Sequence, residues 1–447
     1  MLTLLALCPL LVPLQETASA RPNVLVILAD DLGYGDLGCY GSTYHKTPRI
    51  DRLAADGMRF TQAYAAAPVC TPSRAGLFTG LYPARFGVQA NTGTNKAARK
   101  RGKGVPGEVV MLPERLDALG YESGLVGKWH LGLKEGMEPI DQGFDEFFGF
   151  MAASHHYLPV TAGDTKMMRG KETEAEYEKE FLTDAFARES VAYLAKHRAE
   201  PFFLTVALSA PHNPYEASEE LLQRFPSIED EKARAYAALV SSMDDAVGRI
   251  LAALAQEGLA ENTLVFFASD NGAMLDESPG SNAPLSSGKS FLFEGGIRVP
   301  LIARWPGHVT AGQTLAAPVS LLDVSATTLA LAGADAPTLA GLDGRDLRPV
   351  FAGEAVPERT LLWRMGPSSA IRKGDWKLVA SNKSRWLFDL AKDPGEKNDL
   401  AFKEPERLAA LEKELSEWAT SCPEMLWTNE KAEAPFTVLE KAYWVEY

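Results

Sequence analysis

Four stretches of the chain follow one rule, and that rule narrows the fold more than any other feature. NVLVILA from Asn23, PFFLTVALS from Pro201 and TLVFFAS from Thr263 are unbroken apolar runs of strand length, and YESGLVG from Tyr121 reads as a fourth strand. Runs without polar alternation belong to strands buried on both faces, as in a parallel sheet covered by helices. Each ends in residues able to do chemistry: Asp30 and Asp31, Lys128 and His130, His212, and Asp270 and Asn271. In open α/β sheets the ligand crevice lies beyond the carboxyl ends of the strands, so the pattern predicts an α/β fold with one shared site. Helices are expected over Glu178–His197 and Glu231–Gln256, between the strands.

With 447 residues there is room for a large α/β unit and a smaller one. The composition shifts around Asp343–Glu354. From Leu361 onward, AIRKGDWKLVAS and RWLFDLAKDPGEKNDL read as antiparallel hairpin strands, followed by a helix near Pro405–Ala419. The expected division is a leader over 1–20, a catalytic unit over 21–345 and an α+β subdomain over 346–447. The leader reading rests on a short apolar core and the Ala18-Ser19-Ala20 pattern, although the positively charged residues expected ahead of the core are missing; it predicts export, periplasmic or secreted. That core is too short to span a membrane and no other stretch is long enough, so no integral membrane segment is expected. A net charge of -14 disfavours nucleic acid as a partner. Beyond the leader only Cys39, Cys70 and Cys422 remain, too few for a disulfide scaffold. Their pairing is open.

Cys70 lies in PVCTPSRAGLFTG, Pro68 to Gly80. Thr71 and Pro72 read as N-cap and first helical residue, with Gly80 as the stop. Cys70 then sits at a helix mouth with Arg74 one turn on, a place suited to an anion. On chemistry alone the cysteine is either a reactive thiolate or an inert buried thiol, and the second is the commoner case. Asp30-Asp31 is likewise either a polar strand exit or a hard-metal site. The basic loop with Lys96, Arg99, Lys100, Arg101 and Lys103 is a solvated loop or a polyanion contact. Lys289, in a glycine- and serine-rich loop, would by default be exposed.

The motifs decide among these readings. CTPSR followed by LFTG resembles the CxPSR and LxTG signature of the type I sulfatases. GYESGLVGKWHLG, residues 120–132, matches that family's second signature, and Lys289 followed by FEGGIRVP matches a third feature. The resemblance implies an alkaline-phosphatase-like fold: a mixed, largely parallel sheet between helices, with a smaller C-terminal antiparallel sheet and helix. It implies that a formylglycine-generating enzyme converts Cys70 to formylglycine. That residue would be hydrated, attack the sulfur of a sulfate monoester, and release sulfate by collapse to the aldehyde. Ca2+ would be held by Asp30, Asp31, Asp270, Asn271 and position 70. Arg74, Lys128 and Lys289 would offset the sulfuryl charge, and His130 and His212 would serve as proton acceptor and donor, roles that could be exchanged. His155 and His156 would lie near the substrate, expected to be a sulfated polysaccharide or oligosaccharide. Two alternatives stand beside this: a phosphatase or phosphonate monoester hydrolase of the same superfamily, and an inactive calcium-dependent glycan-binding protein.

Overall fold

The apolar run at Asn23 forms β1 (Asn23–Asp30), buried along its whole length. The computed structural model describes residues 21–93, 102–159, 166–174, 180–275, 278–428 and 436–444, and within them β1 lies inside an 11-stranded sheet. Its other strands are β2 (Met58–Tyr64), β3 (Glu122–Lys128), β4 (Glu146–Phe150), β5 (Met167–Arg169), β6 (Glu172–Thr173), β7 (Phe202–Pro211), β8 (Thr263–Ser269), β9 (Arg298–Arg304), β10 (Gln313–Leu315) and β11 (Val319–Ser320). The order is β10-β2-β9-β8-β1-β7-β3-β4-β5-β6, with β11 beside β2. The four strands singled out in the sequence, β8, β1, β7 and β3, are consecutive neighbours and mutually parallel. Antiparallel β9 and the β4-β5-β6 edge make the sheet mixed.

Both faces are covered, which is why these strands carry no polar alternation. Val24, Val26 and Leu28 point into one core with Phe266, Phe78 and Leu329. Leu25 and Ile27 point into the other with Phe267, Leu239 and Met243. The second face carries the helices Leu182–Lys196 and Glu231–Gln256, and the first carries Cys70–Thr79 and Leu322–Ala332. Glu231–Gln256 has the expected bounds, capped by the Asp230 carboxylate on Ala233 N. The other long helix begins at Leu182, later than expected from Glu178, which lies outside the described residues. So do the leader, Lys96, Arg99, Lys100 and Arg101; Lys103 is described and its Nζ donates to Thr428 O at 3.3 Å.

A four-stranded antiparallel sheet follows, β12 (Thr360–Met365), β13 (Ser368–Lys373), β14 (Trp376–Ser381) and β15 (Ser384–Asp389), with a helix over Pro405–Ser421. The helix covers one face through Leu411 and Leu415. The opposite face, with Trp363, Trp386 and Phe388, packs on Tyr64, Leu292 and Phe293 of the larger unit. A hairpin, β16 (Phe436–Val438) and β17 (Lys441–Tyr443), adds Tyr443 to that contact. Cys39, Cys70 and Cys422 are all free thiols.

Candidate active site

The helix that carries Cys70 starts two residues earlier than the sequence pattern predicts. Val69 is the N-cap, Cys70 the first helical residue, and Gly80 ends the helix at φ 70, as expected. Thr71 does not cap, because it lies inside the first turn; its hydroxyl donates to His130 O at 2.9 Å and accepts from Thr92 N at 3.3 Å. Asn91 supplies the missing acceptor from outside, taking the Thr71 N–H on its side-chain oxygen at 3.0 Å. Nothing in the sequence singled Asn91 out, since it lies twenty residues downstream in no motif.

The strand ends converge on this helix mouth. Successive strand residues point to opposite faces, so adjacent aspartates would normally diverge. Asp31 breaks the alternation with a left-handed backbone, φ 59. Both carboxylates therefore reach the same atom: Asp30 Oδ1 lies 3.4 Å and Asp31 Oδ1 3.8 Å from Cys70 Sγ. Each gives its other oxygen to a lysine. Lys128 Nζ donates to Asp30 Oδ2 and Lys289 Nζ to Asp31 Oδ2, both at 2.6 Å, and Lys289 Nζ is also 3.5 Å from Cys70 Sγ. Lys289 is thus buried, contrary to the default for a glycine-serine loop.

Arg74 reaches back as the helical spacing predicts. Its Nε donates to Asp270 Oδ2 at 2.8 Å and its Nη1 to Lys128 O at 2.9 Å, while Nη2 has no hydrogen-bond partner and lies 3.5 Å from Asp30 Oδ1. Asp270 Oδ1 accepts from Asp31 N at 3.2 Å, and Asn271 Nδ2 donates to Asp31 Oδ1 at 2.7 Å. The Asn271 oxygen is buried without a partner.

His212 joins the group through Nε2, 3.6 Å from Asp31 Oδ2, while its Nδ1 is held 2.6 Å from Asn213 O. His130, left-handed at φ 61, is buried with neither ring nitrogen hydrogen-bonded. His155 and His156 sit on the adjoining segment. His155 Nδ1 is 2.8 Å from His156 O, and the half-exposed His156 ring meets Glu216 Oε1 at 2.8 Å. Tyr157, beside this pair and missed in the sequence, donates its buried hydroxyl to His212 O at 2.9 Å.

Charge in this cluster is balanced at short range. Burial alone would raise the Asp31 carboxyl, but Lys289, His212 and Lys128 hold it well below the usual carboxylate range. Burial pushes Asp270 up to about 6 against the pull of Arg74. Burial also pushes the Cys70 thiol up, and two nearby lysines do not reverse this. A protonated thiol is a weaker nucleophile than a thiolate, so this environment does not itself activate the sulfur. Burial, with Lys128, Arg74 and Lys289 adding to it, keeps His130 neutral.

A donor group of Asp30, Asp31, Cys70 and His212 has one ligand atom from each within 4.8 Å of the others. Such a cluster fits a cation; it leaves out the expected ligand Asp270, whose two oxygens accept from Arg74 Nε and Asp31 N.

The profile of the family described as sulfatase matches residues 22–334. This chain belongs to the sulfatase family. As a sulfatase it is a hydrolase of sulfate esters. A second profile, described as N-sulphoglucosamine sulphohydrolase, C-terminal, matches residues 287–421. The sulfatase is 36% identical over 450 residues to N-acetylgalactosamine-6-sulfatase of Sus scrofa, covering 89% of this chain and 85% of that one. It is 35% identical over 458 residues to arylsulfatase A of Homo sapiens, covering 88% and 87%. The crystal structure of Ps i-CgsB in complex with k-i-k-neocarrahexaose superposes with a TM-score of 0.84 at 35% identity, covering 91% of this sulfatase and 94% of that chain. The fold these relatives share is the one found here: a mixed, mostly parallel sheet with helices and a small antiparallel sheet.

Proposed function

We propose that this sulfatase is exported and removes sulfate from sulfated polysaccharides or oligosaccharides, using a formylglycine made from Cys70 by a formylglycine-generating enzyme, and a calcium ion. The observation that carries the reading is the division of labour at Asp30 and Asp31, each with one oxygen on a lysine and the other turned to position 70. These two carboxylates, the unpartnered Asn271 oxygen and Asp270 make a hard-oxygen set that suits calcium. When bound, calcium would offset the sulfuryl charge and orient the ester. The aldehyde at position 70 would supply a hydrated carbonyl, with a second oxygen that lets sulfate leave without water attacking sulfur.

The chain's own side chains supply the rest. Lys128, Lys289 and Arg74 Nη2, which makes no hydrogen bond, offer fixed donors to the sulfuryl oxygens, with no reorganisation at the moment of reaction. His130, neutral and unpartnered, takes the proton from position 70. His212 presents Nε2 because Nδ1 is held by Asn213 O. Burial keeps that imidazole down at about 3, so it becomes a proton donor for the leaving alcohol only once the anionic ester beside it favours the imidazolium. His155 and His156 flank the substrate, on a segment tied to the His212 loop by Tyr157. Support for a sulfated sugar comes from the relatives, one named for an amino-sugar sulfate and one holding a neocarrahexaose. A zinc phosphatase would call for more histidine ligands than His212, the one histidine grouped with these carboxylates among the described residues. No described helix is long and apolar enough to cross a membrane.

The test begins with the mass of the tryptic peptide Phe60–Arg74 from protein made alongside a formylglycine-generating enzyme. A lighter peptide, with sulfur lost and a carbonyl gained, is expected, and the matured protein should release free sulfate from some member of a panel of sulfated oligosaccharides. Binding to such glycans with no sulfate released from any of them would favour the glycan-binding alternative.

A further inference from the structure

Two carboxylates outside the strand-end cluster, Glu294 and Glu396, are completely or almost completely buried, and no step above uses them. Glu396 belongs to the C-terminal subdomain, on the turn after β15, yet its Oε2 accepts from Ser286 Oγ at 2.5 Å and from Glu294 N at 2.6 Å. Gly295 N also donates to Ser286 O at 2.7 Å. Residues 286 and 294 are thereby pinned together as the base of a loop, and Lys289 sits between them. Lys377 on β14 bridges the two carboxylates, its Nζ lying 2.8 Å from Glu294 Oε1 and 2.8 Å from Glu396 Oε1. Glu294 Oε2 takes the Tyr64 hydroxyl at 2.7 Å and lies 3.3 Å from Arg298 Nη1.

Further along, Lys289 N donates to Ala273 O at 3.0 Å, Ser290 N to Pro68 O at 2.8 Å and Leu292 N to the Tyr443 hydroxyl at 2.9 Å. The loop is also packed without slack against the Asp270–Gly272 corner, where a Cβ on Gly272 would fall 1.7 Å from Gly295 O.

We propose that Glu396 and Lys377 of the C-terminal subdomain are positioning residues for the sulfatase reaction, holding the base of loop 286–294 so that Lys289 meets both Asp31 and position 70. The inference rests on the reading of Lys289 as a catalytic residue. Apolar packing of Leu292 and Phe293 on Trp386 and Phe388 already joins the two units. A buried ion cluster adds little net stability over apolar residues of the same volume, but its bonds are directional and fix one register. Glu396 moreover holds a left-handed backbone, φ 51, a conformation retained where the surroundings enforce it. Lys289 makes its two contacts at 2.6 and 3.5 Å, so a small slide of the loop would lose both.

The experiment measures kcat and KM on an aryl sulfate for Glu396→Ala, Glu396→Gln, Ser286→Ala and Lys289→Ala. Each rate is normalised to formylglycine content by mass, and folding is followed by thermal melting. Glu396→Ala is expected to lower kcat by about 10- to 100-fold, with a smaller change in KM. Glu396→Gln, which keeps an oxygen for Ser286 and Glu294 N, should restore most of that loss. Ser286→Ala, which removes one bond of the clamp, should lower kcat by a few fold with its melting temperature nearly unchanged. A folded Glu396→Ala with wild-type kcat overturns the proposal; if that variant does not fold, wild-type kcat in Ser286→Ala overturns it instead. Loss of turnover in Lys289→Ala alone leaves the reading of Lys289 intact and removes only the positioning role. Full turnover in Lys289→Ala removes both.

Discussion

Replacing Lys128 by Met tests the electrostatic core of the site, because it deletes one charge while nearly conserving volume. Lys128 Nζ and Asp30 Oδ2 are 2.6 Å apart with both side chains fully buried. At an effective dielectric of about 20, two charges at that distance attract by about 6 kcal/mol, most of it offset by the desolvation of both groups. The single variant leaves Asp30 with only the more distant Arg74 Nη2, at 3.5 Å. Breaking one side of a buried pair costs about 3–5 kcal/mol, and the remaining guanidinium places this case near the lower end. For a chain of this length about 3 kcal/mol corresponds to a fall of about 3–4 °C in melting temperature. Turnover should drop by about 100- to 1000-fold, the size of effect seen when a donor to a developing charge is removed. Adding Asp30→Asn to Lys128→Met removes both buried charges and should recover much of the lost stability, but none of the turnover. The assay pairs calorimetry with sulfate release on matured protein. An unchanged melting temperature with kcat within about threefold of wild type would refute the reasoning.

Cys70→Ala should abolish sulfate release with melting within about 2 °C of wild type, since the thiol is small and the helix mouth is capped by Asn91; residual wild-type turnover would contradict the role of position 70. Thorough chelation should lower activity and added calcium should restore it, and Asp270→Ala should weaken both activity and the calcium response; activity indifferent to chelation would remove the metal. Burial alone would raise the Glu294 carboxyl, but Lys377, Arg298 and Arg372 hold it down at about 2. A carboxyl depressed in the folded state adds stability that is fully present above its unfolded value, about 4.5, and is lost as pH falls toward 2. Glu294→Gln should accordingly flatten the acid limb of the melting-temperature profile between about pH 4.5 and 2, partly offset by Glu396, whose carboxyl burial raises; a limb as steep as wild type would refute that assignment.

Much of this protein was legible without coordinates. Unbroken apolar runs announced strands buried on both faces, because a covered parallel sheet has no wet side on which to place polar residues. The residues at their ends were legible as one site because parallel neighbours deliver their carboxyl ends to one edge. Resemblance to the sulfatase signatures, not local pattern, singled out Cys70, Lys128 and Lys289. What needed the tertiary structure was every relation between side chains distant in the chain. That both adjacent aspartates face one sulfur depends on the left-handed turn at Asp31, which no periodicity encodes. That the helix starts at Cys70 and finds its acceptor in Asn91 depends on a distant segment being near, and local helix signals carry no knowledge of it. The same holds for Glu396, an acidic residue in a polar turn of DPGEKN, whose burial against Ser286 and Lys377 arises only when the two sheets pack. Local pattern determines which backbone forms and which face is apolar, whereas the pairing of charges is decided by packing, because a carboxylate's partner is whatever cation the assembled fold brings within reach before water is excluded.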